Sequence, residues 1–279
     1  MSPPLSIRQP GPPAPKRVVA ISCRGAPLRL RLKAGERLLD AVAAGFAKEG
    51  FESGVAELPA LALGPFSYVM PAASRTPDHA AFYSDPFTPD GVTCLHEGAL
   101  TFGLRDGAPF FHAHALWREA DGTESGGHIL PETTRLAADA EIEAFGLDGA
   151  RFEARQDTET NFKLFEPVAT APNGRGADRA IAVRLRPNVT FAPTLDEIAR
   201  AGEFARWRAR GGVGSLIGGR FSDGTVIANV ATEIFLQNTD RGCIKIGLVD
   251  QAGTVRSGQI ERHLNSILMT FEACLVEAS

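Results

Sequence analysis

The sequence predicts an α+β fold made twice over: two tandem units, each a mainly antiparallel β-sheet packed with a few helices. Three observations predict it. Short β-rich runs punctuated by Gly, Pro and Asp-Gly turns account for most of the 279 residues. Each half opens on a strand that leads into one amphipathic helix. A glycine-marked block following His112 recurs after Cys243 at matching spacing.

The length allows one large domain or two ordinary ones, and either buries a real core. No run approaches the roughly 18 apolar residues of a membrane span, so no membrane partner is expected. Residues 1–16 are proline-rich and have no apolar centre. They read as a disordered arm and not as a secretory signal.

The first unit is placed at 17–168. Arg17 to Cys23 and Leu28 to Leu32 read as strands, and Glu36 to Lys48 as a helix with Leu38, Leu39, Val42 and Phe46 at helical spacing. Gly50 closes that helix. Strand-like runs follow at 54–61, 66–70, 79–84 and 92–103. Pro109 to Trp117 alternates as a strand, Asp121-Gly122 turns the chain, and Ser125 to Ile129 returns. Thr134 to Phe145 is strand-rich, and edge strands at 151–153 and 162–165 close the unit.

Residues 169–178 (ATAPNGRGAD) form the linker. The second unit, 179–279, restarts with a strand at Ala180–Leu185 and a helix from Thr194 to Arg208 stopped by Gly211-Gly212. Strands are predicted at 213–218, 225–229, 231–237, 242–249 and 267–275. Aligning Gly126-Gly127-His128-Ile129 with Ser257-Gly258-Gln259-Ile260 also superposes the turn glycines Gly122 and Gly253 without a gap. Two such copies indicate duplication.

The histidines carry the chemistry. His112 and His114 lie two apart on a predicted strand, so both rings point to one face. His128 lies on the returning strand, where a hairpin brings it beside them. Three neutral imidazoles suit zinc or another first-row divalent metal, with a fourth position open. Three hydrogen-bonded core histidines are the plainer alternative. The positions matching His112, His114 and His128 in the second copy are Cys243, Lys245 and Gln259, which do not make the same site. Glu97 and Arg118 are the nearest candidates for proton transfer and anion orientation. Arg24 is a further candidate for a small anionic ligand, and His79 and His263 read as ordinary.

Other classes are disfavoured. The net charge is −4; residues 1–150 hold 13 basic against 18 acidic groups and residues 151–279 hold 16 against 15. Neither half is basic enough for an autonomous nucleic-acid binder. The cluster Arg200, Arg206, Arg208 and Arg210 reads as a solvated helix end. No GxGxxG, GxxxxGK[ST] or GxSxG motif occurs in a convincing context. Four cysteines without a CxxC pair read as free buried thiols in a reducing compartment, which makes the cytoplasm the default location.

Gly107-Ala108-Pro109-Phe110-Phe111-His112-Ala113-His114, then Asp121-Gly122, then Gly126-Gly127-His128-Ile129-Leu130, resembles the signature of the PPC family, the plant- and prokaryote-conserved domain. Leu30 to Leu39 resembles its first strand-to-helix passage, and Arg151-Phe152-Glu153 with Phe162 to Phe165 its closing strands. The resemblance spans about residues 17–168 and weakens in the second half. It implies a compact α+β fold, assembly as a homotrimer, and zinc at His112, His114 and His128. It also implies the DNA-binding label many bacterial members carry. Here no AT-hook core is present, so DNA binding is expected to be weak or absent. The fold is also similar to that of acetolactate decarboxylase, which holds zinc with three histidines. Two functions follow: an oligomeric binding protein with a metal site, or a zinc-dependent lyase acting on a small carboxylate.

Overall fold

The computed structural model describes residues 4–119, 121–240 and 242–278. The first half runs β1 (Val18–Leu32), α1 (Leu38–Lys48), β2 (Gly54–Leu58), β3 (Ala62–Leu63), β4 (Tyr68–Val69), β5 (Pro71–Ala72), β6 (Phe82–Tyr83), β7 (Thr93–Arg105), β8 (Ala108–Arg118), β9 (Glu124–Ile129), β10 (Ala140–Asp148), β11 (Ala150–Gln156) and β12 (Lys163–Ala169). The second runs β13 (Asp178–Leu185), α2 (Phe191–Ala201), β14 (Trp207–Arg220), β15 (Val226–Asp240), β16 (Cys243–Asp250), β17 (Val255–Gln259) and β18 (Ile267–Glu277).

The halves share one topology. Strand order is β1-β10-β2-β7-β8-β9 in the first and β13-β18-β14-β15-β16-β17 in the second. Two tandem α+β regions of mostly antiparallel sheet are therefore present. The register agrees as well: His114 pairs with His128, and Lys245 pairs with Gln259. The two sheets join edge to edge where β1 and β13 pair antiparallel, from Val18 opposite Leu185 to Gly25 opposite Asp178.

Side-chain parity sorts the layers, because successive residues of a strand point to opposite faces. On β8, Phe111, Ala113, Ala115 and Trp117 enter the core beneath α1. Leu116 points the other way and packs with Ala99 of β7 and with Val213 and Phe235 from the opposing sheet. On β15, Ile234 and Leu236 join the core beneath α2, whereas Phe235 meets the first sheet. The result is helix, sheet, sheet, helix, with the two sheets face to face. Phe235→Ala in that central layer would cost about 3–5 kcal/mol.

Several elements differ from expectation. The second helix covers Phe191–Ala201, earlier than the predicted Thr194–Arg208, because Pro193 is accommodated in its first turn and Gly202 caps its end. Gly211 and Gly212 stop nothing. They lie inside β14 at φ 58° and 121°, where the register against β18 shifts, as a bulge requires. The runs expected at 225–229 and 231–237 are one strand, β15. Expected as a disordered arm, residues 4–16 carry no helix or strand but are tied down. Asn188 Oδ1 accepts from Ile7 N at 2.8 Å, Gln9 Nε2 donates to Leu268 O at 2.7 Å, and Gly11 N donates to Glu159 O at 2.9 Å. All four cysteines are free, and only Cys274 is buried, whereas Cys94 is exposed. Among the described residues, no helix is long and apolar enough to cross a membrane.

Candidate metal centre

The β8–β9 hairpin brings the three predicted histidines together. His112 and His114 share a face of β8, and His128 sits opposite His114 on β9. Gly127 lets β9 approach β4: a Cβ there would stand 2.5 Å from the Val69 carbonyl oxygen. Across β8, Thr101 and Ala99 of β7 oppose His112 and His114 and leave room for the rings. The Thr101 hydroxyl is buried with no hydrogen-bond partner.

The second copy completes the cluster. Glu233 of β15 places Oε2 2.5 Å from His114 Nε2. His114 Nε2 also lies 2.9 Å from His112 Nε2 and 3.3 Å from His128 Nδ1. One donor atom from each of His112, His114, His128 and Glu233 lies within 4.8 Å of the rest. A tetrahedral site with bonds near 2.0–2.1 Å has donors roughly 3.3 Å apart, so the spacing fits a first-row divalent ion.

Proton accounting sharpens this fit. His114 Nδ1 lies 2.9 Å from Ile234 O, which only accepts, so the ring's Nδ1 carries the proton and Nε2 presents a lone pair. His112 Nδ1 lies 2.7 Å from Glu272 Oε2, which fixes the same tautomer there. Two Nε2 lone pairs and a carboxylate thus converge beside His128. A protonated imidazole would supply one proton to several acceptors, whereas a divalent cation satisfies all four. Outward carboxylate and carbonyl partners are what orient metal-binding imidazoles.

Electrostatics follow from burial and these partners. Burial presses the His112 pKa down, and Glu272 and Glu233 more than offset it, leaving it raised. Burial first, and then the proximity of His112 and His114, holds His128 well below the ordinary imidazole value. Glu272 is itself steadied: Thr270 Oγ1 donates to its Oε1 at 2.9 Å, and Arg184 Nε donates to Thr270 Oγ1 at 3.3 Å. Arg184 is fully buried and pairs with Asp157 at 2.6 Å and Glu166 at 3.1 Å.

The cluster opens on a cavity of about 410 Å³. His112, His128 and Glu233 form part of its lining, with Tyr83, Phe162 and Arg105 among the other walls. The Tyr83 ring lies 5.1 Å from His128. Burial and then the Glu233 and Glu272 charges raise its phenol well above the ordinary value, so it remains a hydrogen-bond donor.

Other sequence candidates lie elsewhere. Glu97 follows a register shift between β7 and β8 and accepts from Gln237 Nε2, in a groove with Glu57, Glu141 and Glu143. Arg118 is exposed and paired with Glu124, and Arg24 donates to Ala177 O. His263 is exposed. His79, read as ordinary, lines the cavity against Phe82 and Phe162. Lys245 is exposed, so the second copy's equivalent face is open where the first copy's is covered. Arg200 is helical while Arg208 and Arg210 lie on β14, and Arg210 pairs with Glu57 and Glu143, so the basic cluster is no helix end. Sequence reasoning missed Glu233 and Glu272. The available signal was a carboxylate inside an otherwise apolar strand, as in Thr270-Phe271-Glu272-Ala273-Cys274.

No protein-family model matches the chain, and no curated protein does. Solved structures do. A plant- and prokaryote-conserved (PPC) protein of Pyrococcus horikoshii is 23% identical, with a TM-score of 0.41 over 54% of this chain and 97% of that one. A metal-containing protein of Archaeoglobus fulgidus is 20% identical, with a TM-score of 0.41 over 51% of this chain and 94% of that one. Each similarity spans about half of this chain and leaves the chemistry to the site's own geometry.

Proposed function

We propose that the chain is a metal-dependent enzyme of the lyase type that engages a small organic molecule at a zinc or other first-row divalent ion held by His112, His114, His128 and Glu233. The observation that carries this reading is that three of those four side chains line a cavity. An ion serving structure alone needs no such access. When bound, the metal would act as a Lewis acid toward a carbonyl or carboxylate oxygen. The chain's own groups do the rest. Glu272 and Ile234 O hold the two imidazoles in one tautomer, Tyr83 offers a proton donor beside His128, and the cavity's aromatic walls limit water.

A second reading is a structural tie, favoured by the origin of the donors in both copies. Cobalt(II) substitution separates the two. If the visible absorption of the cobalt-loaded chain changes on adding acetohydroxamate, a small molecule reaches the ion. An unchanged spectrum at saturating ligand would reject the enzyme reading in favour of the tie.

We also propose assembly as a homotrimer, the state that the resemblance of residues 17–168 implies. Light scattering should give three 29.7 kDa chains, about 89 kDa. A monomer across the micromolar range would refute it.

A further inference from the structure

The cavity holds two cations, and only one is committed. Lys163 Nζ donates to both oxygens of Asp106, at 2.7 and 2.8 Å. Arg105 ends β7 on the exposed rim. Among the described residues its side chain makes no ion pair or hydrogen bond, and its guanidinium lies over the Phe110 ring, 5.0 Å from the centroid. A guanidinium stacked on a ring keeps its N–H fork available for a planar anion.

The remaining lining sets the rest of the ligand. Phe82, Phe110, Phe162, Phe165, Leu268 and Met269 make the walls apolar. A cavity of about 410 Å³ suits a small molecule. Glu233 lines it and Glu272 lies behind His112, where their charge is balanced by a bound divalent ion, so Arg105 is the cation left to anchor an anion at the rim. A single planar carboxylate matches the Arg105 fork.

We infer that the cavity takes a small monocarboxylate with an aromatic or branched apolar body, its carboxylate gripped by Arg105 at the rim and its body packed on the apolar walls beside His112, His128 and Glu233. The inference rests on the cavity being the ligand-bearing face of the centre.

Calorimetric titration of the zinc-loaded chain with 3-phenylpropionate, the neutral 3-phenylpropan-1-ol and inorganic phosphate tests it. The acid should bind about tenfold tighter than the alcohol, the worth of one charge-assisted hydrogen bond, and phosphate should bind weakest. Arg105→Gln should remove the acid's advantage and leave alcohol binding, zinc content and melting temperature unchanged, since the side chain is exposed. Equal affinities for acid and alcohol, an unaltered acid affinity in Arg105→Gln, or tightest binding by phosphate would overturn it. Arg105-dependent acid binding in a chain whose cobalt spectrum ignores small ligands sustains the anchor and removes the enzyme reading. A responsive spectrum without acid binding sustains the enzyme reading and removes the anchor.

Discussion

His112 Nδ1 lies 2.7 Å from Glu272 Oε2, a contact between side chains 160 residues apart and from different copies of the repeat. Glu272 is fully buried and also accepts from Thr270. Its carboxylate therefore fixes the His112 tautomer and strengthens the ring as a ligand. Glu272→Gln should weaken zinc binding about 10- to 100-fold, measured by competition with a chromophoric chelator. Unchanged affinity would mean that packing alone orients His112.

The donor set makes a second prediction. Elemental analysis should find about one divalent ion per chain, and His112→Ala with His114→Ala should abolish it. Glu233→Ala should weaken retention, whereas Cys243→Ala should not. Chelation should lower the melting temperature, because an ion at 100-fold excess over its dissociation constant stabilises by about 2.7 kcal/mol. In Glu233→Ala that difference should shrink. No ion after zinc reconstitution would discard the site.

Asp148 gives a pH dependence. Its buried carboxylate accepts from Asn173 N at 2.6 Å and Gly176 N at 2.9 Å. Burial presses its pKa up, and backbone N–H groups of residues 173–176 more than offset it, leaving it lowered. A depressed folded pKa means stabilisation that is full above the unfolded value of about 3.9 and lost as pH falls through the folded value. Asp148→Asn should therefore reduce the melting temperature at pH 7, and the gap to the parent should close below about pH 4. A gap that persists in acid would assign the effect to packing.

Arg184 lies deep between the sheets with Asp157 and Glu166. Arg184→Met strips one partner from buried carboxylates, and Arg186, which also pairs with both, compensates in part. Destabilisation should be about 3 kcal/mol, the low end for a broken buried pair, by denaturant unfolding. A neutral result would mean that Arg186 suffices.

Duplex DNA should bind weakly. The net charge is −4, and Arg210 is neutralised by Glu57 and Glu143. Fluorescence anisotropy at physiological salt should show no affinity tighter than about 1 µM. Sequence-selective binding below that would refute the expectation.

Much of this site was legible in the sequence. His112 and His114 share a face by strand periodicity, and the matched spacing to His128 and Gln259 exposed both the hairpin and its repeat. Glu97 misled because the β7–β8 register shifts just before it, and strand parity fails across a bulge. Glu233 and Glu272 were hidden for a different reason. Their partners are set by how two sheets pack face to face, which no local spacing encodes. The second helix starts three residues before the expected Thr194, because Pro193 fits its first turn.

The division of donors between the copies orders events during biosynthesis. The β8–β9 hairpin can present its three imidazoles as soon as the first unit has formed. The carboxylates that balance a cation's charge and lock the rings are translated much later, on β15 and β18. With an ion bound as proposed, a nascent first unit would have only weak hold on it, and full retention would belong to the finished chain with its sheets apposed. Ion occupancy would then report assembly: a truncated or mispacked molecule would betray itself by what it releases.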